Sequence, residues 1–442
     1  MSHQFFRTGA SLVLCAIAAG AAGTTEPAFR IISYLNRLGQ PAGMTEGTSG
    51  VFYVISSNQP QSAFSVTGQG SKTVVGSFPS GNHIQSVLIS GPDGRFYSAL
   101  EAGTQPAMLF SVGSTPGSPQ LFAAQNFVPV LTGNLPESEF LGVAVSDGVW
   151  HLIKSDLHGK ITSIHKFPAA EHAAYTAIYA SDGNYYGVST QQGGAGYVYR
   201  VTSKGTLTKL HEFPARTFGA FGGQYIMPLL EAEDGTLYGA TPDGGANGTG
   251  TIYKLTLAGQ YTLLYSFPKD EASHPTTLIE GSDGNLYGAA TGDLDRGGYS
   301  QLFRISKTGS YTLLYAMESL ITDGGCQCQL TQASDGAIYG TAQFGGTYGG
   351  GEIFALDAHL PKPAPRVREF HPPTGQAGTK VLIWGANLLS ASVEFNGVPA
   401  TSVSSSGANY LWATVPAKAS SGPITVTTPG GTARSAGFRV TR

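Results

Sequence analysis

The sequence predicts an all-β fold: a seven-bladed β-propeller followed by a small immunoglobulin-like β-sandwich. Three observations predict it: a repeat close in length to a propeller blade, a high glycine content, and a change of pattern after a proline-rich segment. Gly supplies 61 of the 442 residues, whereas charged residues make up only 12%. Because glycine is costly inside helices and favoured in tight turns, this composition favours many short strands joined by turns.

The clearest repeat is a turn followed by a strand. Four similar copies read SDGNYYGVST, EDGTLYGATP, SDGNLYGAAT and SDGAIYGTAQ, and three degenerate copies, GVFYV, GRFYS and EFLGV, precede them. Successive copies lie 44 to 52 residues apart, near the unit length of propeller blades. The copies align on Tyr53, Tyr97, Leu141, Tyr186, Tyr238, Tyr287 and Tyr339.

Further alternating segments complete four strands in each repeat. Segments such as TIYKLT and YVYRVT alternate as half-buried strands do, and a segment such as YTLLYSF follows them after a glycine-bearing turn. Asp-Gly is a strong hairpin signal because both residues tolerate positive φ. We therefore expect structural roles for the aspartates of these turns, which are Asp93, Asp182, Asp234, Asp283 and Asp335.

The last repeat lacks its fourth strand, and the N-terminal region has a spare one. The segment FRIISYL, residues 29–35, lines up with YTLLYSF. If this segment pairs with the last blade, it closes the ring and covers an otherwise exposed sheet edge. The sequence thus predicts a propeller over residues 29–358, with four-stranded blades and closure by an N-terminal strand.

The first 23 residues have the pattern of a signal peptide. Arg7 precedes an apolar run from Ala10 to Ala19, and small residues follow it. The run is too short to span a bilayer. Lipidation at Cys15 is disfavoured, because Leu14 stands where a small residue is expected. We predict a cleaved signal over residues 1–23, no membrane span in the mature chain, and a secreted or extracytoplasmic location at a bacterial cell surface or in the periplasm.

The sequence motif of the repeats resembles that of the Gloeobacter/Verrucomicrobia (GloVer) repeat family over residues 29–356. The resemblance implies an exported bacterial propeller. It implies no catalytic residues, because the family has no established reaction to transfer.

A proline-rich linker, residues 359–365, separates the repeats from a different C-terminal pattern. Residues 366–442 contain short alternating segments broken by Gly and Pro, which suits a small sandwich. This region resembles an IPT/TIG domain, and the resemblance implies a spacer, a docking unit or a ligand-binding module. Among the residues that carry the resemblance are Pro373, Gly375, Gly385, Gly397, Pro416, Gly422 and Phe438.

Three histidines precede Asp-Gly turns by nine or ten residues, in three different repeats. We expect His83, His172 and His274 to lie near one mouth of the propeller channel, with Cys326 at the matching place in another repeat. There they could bind a metal, or one histidine could act as a general base. The alternative is that a repeated unit simply repeats its polar residues near turns.

The later repeats carry long glycine-rich loops that are expected on the same face as these histidines. Asp293 and Asp295 lie in one of them and could bind calcium, although turn chemistry explains them equally. Cys326 and Cys328 could form a strained local disulfide, bind a metal or remain two small thiols. We predict no bound metal or other cofactor.

Two tryptophans of the C-terminal region stand out of phase with its apolar pattern. We expect Trp384 and Trp412 to point away from the sandwich core. Such rings suit stacking on a sugar or contact with a protein, or packing against the propeller.

The composition excludes some functions and leaves others open. A net charge of −3 offers no basic surface for nucleic acid, and no nucleophile elbow or phosphate loop is present. We predict a monomeric, non-enzymatic binding or scaffold protein that recognises a protein or polysaccharide. One alternative is an enzyme resembling streptogramin lyases, with histidine chemistry at the channel mouth, and another is a spacer that displays the sandwich.

Overall fold

The computed structural model describes residues 26–35, 40–56, 61–78, 82–84, 87–102, 107–124, 126–191, 194–215, 217–218, 229–269, 273–291, 300–317, 329–343 and 349–441. Among these residues, the regular structure consists of β-strands and one 3-10 turn at Pro136–Ser138. No helix in this part of the chain has the length and apolar character needed to cross a membrane.

The described residues up to Asp357 form seven antiparallel sheets, which we number as blades in chain order. The N-terminal strand is β1 (Ala28–Tyr34). Blade 1 comprises β2 (Pro41–Thr48), β3 (Val51–Ser56), β4 (Ser62–Thr67) and β5 (Lys72–Ser77). In blade 2, β6 (Asn82–Ile84) and β7 (Ile89–Ser90) both pair with β8 (Phe96–Ala102), and β9 (Met108–Val112) and β10 (Gln120–Ala123) follow. Blade 3 comprises β11 (Val128–Asn134), β12 (Phe140–Ser146), β13 (Val149–Ser155) and β14 (Ile161–Lys166).

The later blades repeat this order. Blade 4 comprises β15 (Glu171–Tyr179), β16 (Tyr185–Gln191), β17 (Gly196–Val201) and β18 (Leu207–Phe213). Blade 5 comprises β19 (Leu229–Glu231), β20 (Leu237–Thr241), β21 (Thr251–Leu255) and β22 (Tyr261–Ser266). Blade 6 comprises β23 (Ser273–Glu280), β24 (Leu286–Thr291), β25 (Gln301–Ile305) and β26 (Tyr311–Ala316). Blade 7 comprises β27 (Gln329–Gln332), β28 (Ile338–Ala342), β29 (Glu352–Asp357) and β1.

The blades close into a ring. Each blade contacts the next through its first strand, and β2 of blade 1 contacts β27 and β28 of blade 7. The predicted pairing of the N-terminal strand is present, because β1 lies antiparallel to β29 with Phe29 opposite Leu356. The chain therefore folds as a β-propeller in which the N-terminal strand completes the last blade.

The repeated Asp-Gly-x-x-Tyr motif has a direct structural cause. In blade 4, Asp182 Oδ1 accepts a hydrogen bond from the backbone N–H of Asn184 at 3.0 Å, which fixes the turn. The other carboxylate oxygen accepts the hydroxyl of Tyr186 at 2.7 Å, although that ring is buried in the blade. The same Tyr-to-Asp bond is present at Tyr97–Asp93, Tyr238–Asp234, Tyr287–Asp283 and Tyr339–Asp335. These contacts agree with the structural role expected for the aspartates.

Stacked rings join the outermost strands of successive blades. His211 of β18 stacks on Tyr261 of β22, with ring centroids 3.9 Å apart and an angle of 4° between the planes. Tyr265 stacks on Tyr311 in the same way between blades 5 and 6. The last stack places Tyr315 of β26 on Phe29 of β1 at 3.9 Å and 6°, so the N-terminal strand is held by side chains as well as by its backbone.

The C-terminal residues form a two-sheet sandwich. One sheet has the order β30 (Arg366–His371), β32 (Lys380–Ala386), β36 (Tyr410–Thr414) and β35 (Val403–Ser405). The other has the order β31 (Thr374–Gly375), β38 (Gly431–Val440), β37 (Gly422–Thr428), β33 (Ser392–Phe395) and β34 (Val398–Pro399). Apolar residues from both sheets, among them Ile383, Phe395, Leu411 and Phe438, form the core between them.

The sandwich docks on one face of the propeller, which we call the turn face because it carries the Asp-Gly turns between the first two strands of most blades. Tyr410 OH donates a hydrogen bond to the backbone oxygen of Leu135 in blade 3 at 3.3 Å. Arg366 forms ion pairs with Glu233 of blade 5 at 2.6 Å and with Glu280 of blade 6 at 3.2 Å. The opposite face, which carries the loops between the second and third strands, we call the loop face.

Candidate functional site

The predicted histidines start the first strands of their blades, on the loop face. His172 lies in β15 and His274 in β23, and both side chains reach the surface. The backbone of His83 lies in β6 opposite Glu101, but its side chain falls outside the described part of the structure.

The two described histidines have different partners. His172 Nδ1 accepts a hydrogen bond from Trp150 Nε1 at 3.2 Å. His274 Nε2 lies 3.0 Å from Asp243 Oδ1. Among the described residues, no three His, Cys, Asp or Glu side chains are grouped so that they could hold a metal ion.

Several other predicted positions lie outside the described residues. They are Asp293, Asp295, Cys326 and Cys328. The calcium hypothesis and the state of the two thiols therefore stay predictions.

The tryptophans of the sandwich lie in its contact with the propeller. Trp384 is 8% exposed and belongs to a small cluster with Leu382 and Tyr410 that also includes Tyr179 of blade 4. Trp412 is half-buried, and its Nε1 donates a hydrogen bond to the backbone oxygen of Pro92 in blade 2 at 2.8 Å. Of the two interpretations made from the sequence, a ligand-binding ring or interdomain packing, the observed contacts correspond to the second.

A cleft with a volume of about 850 Å³ opens on the loop face, between blades 4 and 5. The end of β18 forms one wall, and Tyr261 and the exposed side chain of Leu263 from β22 form another. The loop between β20 and β21 completes the lining with Asp243 and several glycines. A cleft of this size suits a segment of a polymer or a small ligand.

The glycine-rich loop of the cleft needs its glycines. Gly250 has a φ of +104°, and a Cβ there would lie 2.8 Å from the backbone oxygens of Thr241 and Pro242. The same loop positions Asp243, whose N–H donates to the backbone oxygen of Thr217 at 3.2 Å. His274 adopts a left-handed backbone conformation with a φ of +61°, which places its ring beside Asp243.

The ring at the cleft wall has altered acid–base properties. Burial lowers the pKa of His211 from its ordinary value, because the stacked position against Tyr261 removes water from the imidazole. The neutral imidazole is the form that this environment favours.

The sequence did not identify Trp150, His211 and Tyr261 as site residues. Trp150 served only to mark a strand, and His211 and Tyr261 belong to repeated segments that look purely structural. The fifth residue of LTKLHEF is His where YTLLYSF and YTLLYAM have Tyr, but ITSIHKF of blade 3 also has His at this position. The repeat pattern therefore gave no signal that separates the cleft from the equivalent place in blade 3.

Comparisons with solved structures show distant similarity. A fungal alcohol oxidase of the AA5 family in complex with copper has 13% identity and a TM-score of 0.46, with 92% of this chain and 100% of that chain covered. The BP39L lectin from Burkholderia pseudomallei has 12% identity and a TM-score of 0.47, with 69% of this chain and 96% of that chain covered.

Comparisons of sequence agree with the repeats and the sandwich described above. No curated protein matches the chain. Residues 141–354 match the Gloeobacter/Verrucomicrobia repeat, and residues 365–441 match the IPT/TIG domain. The chain therefore carries Gloeobacter/Verrucomicrobia repeats over residues 141–354 of its propeller and an IPT/TIG domain over residues 365–441.

Proposed function

We propose that this chain is an exported, non-enzymatic binding protein that recognises an extracellular polymer, a protein or a polysaccharide, on the loop face of its propeller. The observation that carries the proposal is the difference between the two faces. The IPT/TIG domain is docked on the turn face, through contacts such as Trp412 with Pro92, whereas the cleft between blades 4 and 5 opens on the other face. Binding sites in propellers and other rigid scaffolds concentrate on such loops.

The combination of domains supports the same proposal. A propeller with a docked immunoglobulin-like domain fits a binding or scaffold protein, because both are rigid frames that carry variable loops. The predicted signal over residues 1–23 is the basis for placing the protein outside the cytoplasm, either secreted or at the bacterial surface.

The cleft offers a test with a matched control. Leu263 and Leu313 occupy equivalent positions on β22 and β26, and each is 48% exposed, but only Leu263 lines the cleft. The wild type and the Leu263→Glu and Leu313→Glu variants are applied to a glycan array and to immobilised bacterial surface proteins. We expect the wild type and Leu313→Glu to bind the same ligand with similar affinity. Leu263→Glu should bind that ligand at least tenfold more weakly.

Two results would contradict the proposal. Equal binding by all three proteins would show that the ligand binds outside the cleft. If the wild type binds no surface polymer, the proposed binding function is wrong. Circular dichroism and thermal melting check that both variants are folded.

The pair of His274 and Asp243 favours one second candidate, an enzyme that uses histidine as a base. A carboxylate 3.0 Å from an imidazole nitrogen can orient the ring and stabilise its protonated form. If this candidate is correct, the bound polymer is cleaved during incubation, and His274→Gln abolishes cleavage while binding persists. An unchanged polymer mass after prolonged incubation with the wild type would exclude it.

A further inference from the structure

Trp150 and His172 form a surface contact between blades 3 and 4 on the loop face. The Trp150 indole is half-buried, its Nε1 donates to His172 Nδ1 at 3.2 Å, and the ring centroids are 6.1 Å apart. Blade 3 joins its second and third strands by the two-residue turn Asp147–Gly148, whereas blade 5 uses the longer loop 242–250. Because this turn is short, the loop face projects less far from the propeller beside Trp150 than beside the cleft.

Polar side chains at the loop-face end of blade 4 lie between this contact and the cleft. Glu171, which precedes His172, accepts a hydrogen bond from Tyr197 OH and lies 3.8 Å from Lys209 Nζ. The same ammonium group lies 4.2 Å from the centroid of the Tyr197 ring and 3.3 Å from Glu212 Oε1. Because Glu212 lines the cleft, this set of side-chain contacts extends from the cleft to Glu171, the residue that precedes His172 in β15.

The charges along this path favour a neutral ligand. Lys209 faces the two carboxylates Glu171 and Glu212. Lys166 lies at the Trp150 end of the path, opposite His151 in the neighbouring strand, so the charges nearly cancel and favour neither an anionic nor a cationic polymer. The cleft carboxylate Asp243 is already paired with His274. Carboxylates held in place by such partners can still accept hydrogen bonds from hydroxyl groups, and bonds to charged acceptors are the stronger ones.

We infer that the ligand of the proposed binding function is a neutral polysaccharide, whose chain runs from the cleft over blade 4 to Trp150. The inference rests on the proposed function and deepens it. The C–H face of a sugar ring packs on the exposed part of the Trp150 indole, which offers a large rigid apolar surface. Sugar hydroxyls donate to Glu212 and Asp243, and His172 holds the indole in position through its ring nitrogen.

Affinity electrophoresis tests the class of ligand. The full chain is run in gels that contain laminarin, dextran or galactomannan as neutral polymers, polygalacturonate as an anionic one, and chitosan as a cationic one. We expect retardation by at least one neutral polymer and none by polygalacturonate. Retardation by charged polymers alone, or binding to surface proteins alone, would overturn the polysaccharide assignment while leaving a binding function in place.

Three variants test the extent of the site. Trp150→Ala should weaken binding to the retarding polymer at least tenfold, whereas Trp150→Phe, which keeps an aromatic ring, should stay within about threefold of the wild type. His172→Ala should give a similarly small loss, because it removes the same hydrogen bond and leaves the indole surface in place. Binding that Leu263→Glu abolishes but Trp150→Ala leaves unchanged would confine the ligand to the cleft and refute the extended site.

Discussion

Glu46 of blade 1 accepts two hydrogen bonds from Ser334 of blade 7, across 288 residues of chain. The backbone N–H of Ser334 donates to Oε2 at 2.9 Å, and its hydroxyl donates to Oε1 at 2.7 Å. The ring is therefore closed near its centre as well as at its rim, where β1 pairs with β29.

The same position makes the same contact in other blades. Glu231 of blade 5 accepts the N–H of Ser181 in blade 4 at 2.9 Å, and Glu280 of blade 6 accepts the N–H of Glu233 at 2.8 Å. In blade 7 the residue is Gln332, whose Oε1 accepts the N–H of Ser282 at 2.9 Å. An acceptor on one blade thus holds the turn of the blade before it.

Removal of the Glu46 carboxylate should loosen the closed ring. We expect Glu46→Ala to lower the free energy of unfolding by about 1.5–3 kcal/mol, the usual value for hydrogen bonds to a charged group. Glu46→Gln should lower the free energy of unfolding by less than half of that amount. A glutamine makes the equivalent contact at Gln332, and burial raises the pKa of Glu46, so the site does not depend on a full negative charge. Urea denaturation followed by tryptophan fluorescence measures both variants, and an alanine variant as stable as the wild type would contradict the prediction.

The stack of Phe29 on Tyr315 should hold the N-terminal strand in blade 7. We expect Phe29→Ala to destabilise the protein by about 2 kcal/mol, below the cost of a fully buried phenylalanine because the ring is half-buried. Arg30, on the exposed side of the same strand, donates one long hydrogen bond to the Gly68 oxygen at 3.3 Å, so Arg30→Ala should lower the free energy of unfolding by less than about 1 kcal/mol. Hydrogen exchange measures the local effect: the amides of β1 and β29 should exchange faster in Phe29→Ala. Unchanged exchange rates would show that the backbone alone holds the strand.

The stability of the propeller should decrease as the pH falls below neutrality. Burial holds the pKa of His211 below the ordinary value near 6.5. Between the lowered pKa and 6.5 the unfolded chain binds more protons than the folded chain, so stability is present above this window and is lost as pH falls through it. Burial, together with Lys166, also lowers the pKa of His151, which adds to the same trend.

His211→Phe separates the contribution of this histidine. The substitution keeps a ring against Tyr261 and removes the titrating group, so the loss of stability between pH 7.5 and 5.5 should become smaller but should not vanish. Urea denaturation at the two pH values measures it. An identical pH dependence in wild type and variant would show that His211 contributes nothing.

Trp412 should contribute to the docking of the IPT/TIG domain. Trp412→Phe removes the hydrogen bond from Nε1 to the Pro92 oxygen and keeps most of the apolar contact. We therefore expect it to weaken the docking of the domain by about 1 kcal/mol. Limited proteolysis in the linker 359–365 should become faster, because the domain undocks more often. Ser404→Ala, on the neighbouring strand β35, serves as the control, and equal cleavage rates in the two variants would argue against the role of the bond.

The sequence determined the elements of this fold because they depend on local and repeated signals. Asp-Gly turns, two-residue periodicity and the strand missing from the last repeat predicted blades and their closure, and the change after the prolines predicted the sandwich. It also predicted that Trp384 and Trp412 leave the sandwich core, since alternation along a strand shows which residues face away from the core. Tertiary structure alone decided what covers those rings, because contacts such as Trp412 with Pro92 join residues that are 320 positions apart. Tertiary structure also decided the cleft, because its walls come from β18 of blade 4 and β22 of blade 5, and no local pattern in either blade shows that the two strands line one cleft.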